Sequence, residues 1–207
     1  MIRLLLLLSA AFGLMPGNLP SGHRRDSTRS AEATVVLAGG CFWGVEYVFE
    51  HVRGVHYVMS GFARDKATGT PADLPQPVEA VRIDYDPAVV SYKQLLEVFF
   101  LVAHDPTSWD RQGPDAGPEY RAVVFTLYPG DAGTAKEYMA ELVRSKRFSR
   151  PIATQLRTLD HFTPAEAYHQ DYSSRHLTDG YVVQNDIPKL ARLRKEFPKL
   201  FQEQRAP

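Results

Sequence analysis

The sequence of 207 residues holds one cysteine, Cys41. A single cysteine cannot form a disulfide within the chain, and it cannot build a cysteine-cluster metal site. The seven histidines are scattered along the sequence, so we expect neither a metal ion nor an organic cofactor. Chemistry at Cys41 must then come from the thiol itself and from side chains that the fold brings to it.

The sequence also lacks an excess of charge of either sign, because 24 basic residues balance 24 acidic ones. This balance argues against a nucleic acid or an acidic membrane surface as a partner. A hydrophobic fraction of 44% and a charged fraction of 23% are ordinary values for a globular protein. The length fits one domain with a sizeable core, and we expect a monomer.

Long hydrophobic runs are missing except near the N-terminus. There Arg3 precedes an apolar run that starts with the leucines of residues 4–8 and continues to Phe12. Small residues at Ala11 and Gly13 could form a cleavage site. This pattern is typical of a secretory signal peptide, and the run is too short for a comfortable transmembrane helix. We expect export to the periplasm; the alternative is an uncleaved tail on a cytoplasmic protein. The predicted parts are a signal peptide (1–17), a flexible linker (18–32) and one catalytic domain (33–203).

The cysteine lies in residues 39–46, which read Gly-Gly-Cys-Phe-Trp-Gly-Val-Glu. The β-branched, apolar residues 34–38 before it predict a buried strand, and apolar residues recurring at positions 45, 48, 49 and 52 predict an amphipathic helix after it. Cys41 then lies at a helix N-terminus, where free N–H groups and the helix dipole stabilise a thiolate and lower its pKa. The alternative is a small buried cysteine that only packs.

A carboxylate on an apolar strand face is the second notable feature. In the strand predicted at residues 78–85, Glu79 shares one face with Val81 and Ile83. Burial raises the pKa of a carboxyl group, and a raised pKa suits a proton donor at neutral pH. The alternative is a glutamate at a frayed strand start that faces solvent.

The order of elements predicts an α+β fold. Strand, helix, strand, strand, helix and strand follow one another, which is typical of a ferredoxin-like two-layer sandwich with a mixed sheet and C-terminal extensions. Ser91 is the predicted N-cap of the clearest helix. The predicted strands are 34–38, 55–61, 78–85, 120–126 and 152–159; the helices after the first are 92–100, 132–146 and 188–201; long loops span 64–77 and 107–119.

Residues 40–44, Gly-Cys-Phe-Trp-Gly, are similar to the signature of the A-type peptide methionine sulfoxide reductases. The resemblance extends over nearly the whole chain from about residue 35 to 201. Its other blocks are Glu-Ala-Val at 79–81, Tyr-Asp-Pro at 85–87, His-Asp-Pro-Thr at 104–107, Arg-Gln-Gly-Pro-Asp at 111–115, Tyr-Arg at 120–121, the run 164–172 and Asn-Asp-Ile-Pro-Lys at 185–189.

The resemblance implies a mechanism. The Cys41 thiolate would attack the sulfur of methionine S-sulfoxide, and Glu79 would protonate the sulfoxide oxygen. Methionine would leave, and Cys41 would become a sulfenic acid. The resemblance also assigns Phe42 and Trp43 to the substrate methyl group, Tyr120 to the sulfoxide oxygen, and Asp115 to the support of the loop and a water.

Two departures from the family pattern stand out. Many relatives carry a second cysteine near the C-terminus, but residues 180–185 contain none, so an external thiol such as thioredoxin must regenerate Cys41. A disulfide between two copies is the alternative. Residues 66–78 also lack the second active-site tyrosine of the family, which predicts slow turnover or a shifted substrate.

Two other functions compete with a reductase. A binding module could have kept this fold and lost efficient turnover at the altered loop. A cysteine hydrolase would need His104 or His169 beside the thiol. The combined presence of the thiol, the acid and the aromatic pair favours the reductase over both.

Overall fold

The computed structural model describes residues 32–70 and 73–203. Its strands are β1 (Ala33–Ala38), β2 (Val55–Asp65), β3 (Val78–Tyr85), β4 (Arg111–Gln112), β5 (Asp115–Ala116), β6 (Val123–Thr126) and β7 (Gln155–Pro164). Its α-helices are α1 (Phe42–Glu50), α2 (Tyr92–Val98), α3 (Asp131–Arg144), α4 (Tyr172–Arg175), α5 (Gly180–Asn185) and α6 (Ile187–Glu196). A π-helical turn, Phe99–Ala103, extends α2, and short 3-10 helices cover Pro118–Tyr120 and Ala167–His169.

Five strands form one mixed sheet in the order β1-β3-β2-β7-β6, and β6 pairs back onto β1. The pair β6–β7 is parallel and the other pairs are antiparallel. The predicted α+β class and mixed sheet are therefore confirmed. The predicted ferredoxin-like two-layer sandwich is not confirmed, because β7 closes the sheet between β2 and β6.

The closure depends on β7, which is displaced toward the C-terminus from the strand predicted at 152–159. Its first residues, from Gln155 to Thr158, pair with β6, and its last residues, from Leu159 to Pro164, pair with β2. One long strand thus joins two neighbours that the sequence gives no reason to connect. Long-range pairing of this kind leaves no local pattern in the sequence.

The predicted elements nearest the N-terminus of the domain are confirmed. The strand at 78–85 has the predicted bounds, and α1 buries Val45, Val48 and Phe49 in the main core. Ser91 caps α2 through its side chain, which accepts the N–H of Gln94. These elements are set by local periodicity and capping chemistry, which explains why the sequence predicts them well.

Tyr120 does not begin a strand, contrary to the prediction. It ends the 3-10 helix that starts at Pro118, and β6 begins only at Val123. Proline fixes φ and lacks an N–H group, which favours the first turn of a helix over a central strand. The predicted loop at 107–119 also contains the small β4–β5 hairpin, in which Gln112 pairs with Asp115.

The predicted signal peptide at residues 1–17 and the predicted linker, apart from Glu32, lie outside the described residues. Across the part of the chain that the structure describes, no helix combines the length and apolar character needed to cross a membrane.

Candidate active site

Cys41 occupies the predicted turn between β1 and α1, where it is the N-cap residue. The preceding Gly40 has φ of +88°, and a Cβ atom there would lie 2.3 Å from the Cβ atom of Gln112. Glycine is therefore required at position 40 both by backbone conformation and by the close approach of the β4–β5 hairpin. The turn holds Cys41 beside this hairpin, and both border the same cavity.

The prediction of a lowered thiol pKa is wrong. Burial, and after it the charge of Glu79, raise the pKa of Cys41 to about 12. The Tyr181 side chain and the Trp43 backbone N–H, both near the thiol, act on its pKa in the opposite direction. Loss of hydration outweighs the stabilisation that a helix N-terminus gives to an anion. Because ionised Glu79 opposes the thiolate, protonation of Glu79 favours it.

Glu79 lies on β3 opposite Phe62 of β2, and its carboxylate points toward α1. Its Oε2 atom accepts the backbone N–H of Phe42 at 3.0 Å, so the acid lies beside the residue that follows the thiol. Burial raises the pKa of Glu79 to about 7, and the charges of Asp115 and Glu119 add to the effect. The carboxyl group is thus partly protonated at neutral pH, which is the state that a proton donor needs.

Tyr120 and Asp115 reach the same site from the segment after the hairpin turn. Burial has the largest effect on the pKa of Tyr120. Together with the charges of Glu79, Asp115 and Cys41, it raises that pKa to about 12. The Tyr120 hydroxyl therefore stays protonated and faces the groups of the site. The structure brings together the thiol and all three polar residues that the sequence predicts for it.

Tyr181 is a site residue that the sequence analysis missed. It lies in α5, and its hydroxyl donates a hydrogen bond to Oδ2 of Asp115 at 2.5 Å. The same side chain lies next to Cys41 and lowers the pKa of the thiol. Asp179 caps α5 by accepting the N–H groups of Tyr181 and Val182, which fixes the tyrosine at the helix start. An N-cap aspartate two residues before a tyrosine is the one local pattern that pointed to this position.

Phe42 and Trp43 form an aromatic wall beside the thiol. Phe42 is only 2% exposed and packs edge-on against Phe62 and the imidazole of His169. Trp43 stacks on Tyr172 with ring centroids 3.7 Å apart, and its indole N–H donates to Nδ1 of His169 at 3.1 Å. Trp43 is partly exposed, so its ring offers a rigid apolar surface that suits a small methyl group.

The two histidines that a hydrolase would need are engaged elsewhere. His104 is buried, with Nδ1 at 2.8 Å from the Phe99 carbonyl and Nε2 at 2.9 Å from the Thr154 hydroxyl. Burial lowers the pKa of His104 to about 4, so the ring is neutral. His169 accepts the Trp43 N–H. Neither ring serves as the base of a Cys–His pair.

A cavity of about 350 Å³ opens on Cys41 from the side of the β4–β5 hairpin. Asp115 and Tyr181 border it near the thiol, and two cationic side chains, Lys189 and Arg192, border it on α6. The thiol is therefore reachable from solvent despite its burial. The cavity is large enough to admit a side chain or a small thiol next to Cys41.

The chain matches a known family over most of its length. A family model described as peptide methionine sulfoxide reductase matches residues 33–200. The chain belongs to this family. Among curated relatives, peptide methionine sulfoxide reductase MsrA 2 of Mesorhizobium japonicum is 43% identical over 175 residues, which cover 82% of this chain and 90% of that protein. The Synechocystis protein of the same name is 40% identical over 196 residues, or 92% of each chain.

Solved structures of methionine sulfoxide reductases have a similar fold. Reduced Mxr1 from Saccharomyces cerevisiae superposes with a TM-score of 0.61 at 26% identity, over 72% of this chain and 87% of that chain. Methionine sulfoxide reductase A of Corynebacterium diphtheriae gives a TM-score of 0.57 at 27% identity, over 72% and 76% of the two chains. The resemblance to A-type peptide methionine sulfoxide reductases is thus confirmed, by both sequence and fold.

Within this reductase family site, replacing Tyr181 by phenylalanine tests the hydroxyl that the sequence did not predict. The Tyr181 hydroxyl lowers the Cys41 pKa, so its removal is expected to raise that pKa and slow the reaction of the thiol at neutral pH. A hydrogen bond to a charged group contributes about 1.5–3 kcal/mol, which corresponds to a loss of roughly ten-fold or more in the rate. The rate of Cys41 alkylation by iodoacetamide, measured against pH, reports the shift directly.

The matched control is Tyr128→Phe, which removes the hydroxyl of an exposed tyrosine. Its alkylation profile should overlay that of the unmodified chain. If Tyr181→Phe also leaves the profile unchanged, Tyr181 does not act on the thiol.

Proposed function

We propose that this chain reduces methionine S-sulfoxide, free or within proteins, to methionine. The observation that carries the proposal is the placement of Glu79. Its carboxyl group accepts the N–H of Phe42, directly after Cys41, and burial raises its pKa to about 7. A nucleophile beside a proton donor that is partly protonated at neutral pH suits the reduction of an S–O bond.

The reaction balances with these two groups. The Cys41 thiolate supplies an electron pair to the sulfoxide sulfur, while Glu79 gives its proton to the sulfoxide oxygen. A bond forms between the two sulfur atoms; the hydroxyl then moves from the substrate sulfur to Cys41 as that sulfur–sulfur bond breaks, so methionine leaves and Cys41 is left as a sulfenic acid. Glu79 ends as a carboxylate. One sulfoxide is thereby reduced by two electrons, and Cys41 is oxidised by two.

We assign the sulfoxide oxygen to Tyr120 and the substrate methyl group to the wall of Phe42 and Trp43. The loop at 66–78 lacks the second tyrosine of the family, but the hydroxyl of Tyr181 lies at the thiol. Two phenolic hydroxyls therefore surround Cys41 in this chain. Asp115 accepts the Tyr181 hydroxyl and holds it in place. This arrangement supports turnover without the missing loop tyrosine.

Regeneration of Cys41 requires a thiol from another molecule, because the sequence has no second cysteine. Two thiol groups reduce the sulfenic acid to the free thiol, with release of water and formation of one disulfide. We propose thioredoxin or a thioredoxin-like protein as the donor and the cavity beside Cys41 as its point of approach. Export to the periplasm is part of this proposal, and the donor would then be a reductant of that compartment.

A binding module on the same fold is the less favoured function. A module without turnover needs neither a nucleophile nor a buried acid whose pKa lies near 7. The site retains both, together with two tyrosine hydroxyls that stay protonated.

The test is stereospecific turnover. The chain is incubated with dithiothreitol and either the S or the R epimer of N-acetylmethionine sulfoxide amide, and the thioether product is measured by chromatography. We expect thioether from the S epimer and none above background from the R epimer. Binding of the S epimer without product formation would support the module and contradict the proposed activity.

A further inference from the structure

Three carboxylates lie together between α1 and the turn that leads into α4. Glu46 and Glu50 are one helical turn apart on α1, and Asp171 is the N-cap residue of α4. One oxygen of each lies within 4.8 Å of those of the other two. Both glutamates are buried, and Glu46 is only 1% exposed. Like charges at positions i and i+4 destabilise a helix, and burial strengthens their repulsion. We call these three residues the acidic cluster.

A fourth oxygen faces the cluster from the sheet. Ser60 of β2 is fully buried, and its hydroxyl acts on the pKa of Glu46, which places the two side chains next to each other. Yet Oγ of Ser60 and Oε1 of Glu46 have no partner in hydrogen-bond geometry among the residues that the structure describes. Buried polar atoms are rarely left without a partner. Two such oxygens side by side indicate that a further group binds both.

Hydrogen bonds hold several oxygens of the cluster in place. The backbone N–H of Asp171 donates to Oε2 of Glu46 at 3.0 Å, and the Ser174 hydroxyl donates to Oε2 of Glu50 at 2.7 Å. Arg175 pairs with Oδ2 of Asp171. Gln170 clamps the backbone N–H and carbonyl of Ser60, which fixes the turn against β2.

We propose that a hard divalent cation, Ca²⁺ in the first place, binds to these four side chains: Glu46, Glu50, Asp171 and Ser60. Carboxylate and hydroxyl oxygens are the ligands of hard cations, whereas softer metals prefer the imidazole and thiolate groups that this set lacks. Ca²⁺ takes oxygens at about 2.4 Å, so two ligands on opposite sides of the ion lie up to about 4.8 Å apart. Four ligands from three separate segments suit its flexible geometry better than the strict octahedron of Mg²⁺.

The bound ion would join three parts of the fold that support the thiol. Glu46 is in the helix that begins after Cys41, and Ser60 is in β2. Asp171 lies between His169 and Tyr172, the two side chains that hold Trp43. The ion would therefore stabilise the folded chain, and this inference does not depend on the reaction at Cys41. The four residues are spread over residues 46–171, so no short motif in the sequence indicates the site.

The test is thermal unfolding of the full chain after dialysis against EDTA. Saturating CaCl₂ is expected to raise Tm by about 5 °C or more, compared with NaCl at equal ionic strength, because the ion binds the folded state. Isothermal titration with CaCl₂ should give one ion per chain. MgCl₂ should produce the smaller rise in Tm.

Glu50→Gln is the decisive variant, because it removes one ligand charge and leaves the contacts of Glu46 with the Asp171 turn. It should lose most of the Ca²⁺-dependent rise in Tm, whereas Glu141→Gln on α3, whose carboxylate pairs with Lys93 at the surface, should retain it. A rise of the same size in Glu50→Gln, no rise beyond that in NaCl, or a larger rise with Mg²⁺ would overturn the proposal. The first result would mean that Ca²⁺ binds elsewhere on the chain, and the second that a proton, not a metal ion, relieves the repulsion in the cluster.

Discussion

Replacing Cys41 by serine is expected to abolish reduction of the S epimer, with a loss of more than about 10⁴-fold in kcat/KM. A serine hydroxyl stays protonated where a thiol ionises, and it cannot act as a two-electron reductant toward a sulfoxide. No second cysteine exists in the chain to take over the role. Methionine formation with dithiothreitol, measured over several hours, sets the upper limit on any residual rate.

The serine variant should fold normally, because serine is close in volume to cysteine and the N-cap position favours it. Circular dichroism and Tm provide that control. A well-folded variant with a rate within ten-fold of the unmodified chain would show that Cys41 is not the nucleophile.

Glu79→Gln is expected to lower kcat by about 10²–10⁴-fold, the range that general acid catalysis contributes. The glutamine oxygen can still accept the Phe42 N–H, so the loss would report the missing proton and not a displaced helix. In the unmodified chain the protonated fraction of Glu79 falls as pH rises through about 7. We therefore expect kcat to decline above that pH, and the decline should be missing in the variant.

The matched control is Glu97→Gln on α2. Glu97 is also a glutamate whose pKa burial raises, but the charges that act on it are those of Lys93 and Glu141. Its kcat and pH profile should equal those of the unmodified chain. An unchanged kcat in Glu79→Gln would remove the proton-donor role and leave the buried carboxyl without a catalytic explanation.

The location of the site could be predicted from the sequence because it rests on short-range patterns. The strand–glycine–helix arrangement around Cys41 follows from apolar periodicity and from the positive φ that Gly40 adopts. The inward face of Glu79 follows from the two-residue period of β3. Both features follow from sequence patterns that span no more than about a dozen residues.

The features that the sequence did not reveal arise from distant contacts. Tyr181 reaches Asp115 across 66 residues of sequence, and β7 closes the sheet by pairing with two strands that are far from it in the chain. The thiol pKa shows the same limit. The helix N-terminus can be recognised from the residues around Cys41. Burial, which dominates the pKa of Cys41, depends on distant segments such as the hairpin and α5 that pack near it.

In the proposed reaction, Cys41 removes the sulfoxide oxygen and retains it as a sulfenic acid. The most direct test is a single turnover without any reductant, followed by mass spectrometry of the intact chain in the presence and absence of dimedone. The S epimer should yield about one methionine product per chain, with one oxygen or one dimedone adduct at Cys41, because the chain has one thiol. Product formed while Cys41 remains an unmodified thiol, or no product at all, would contradict this account.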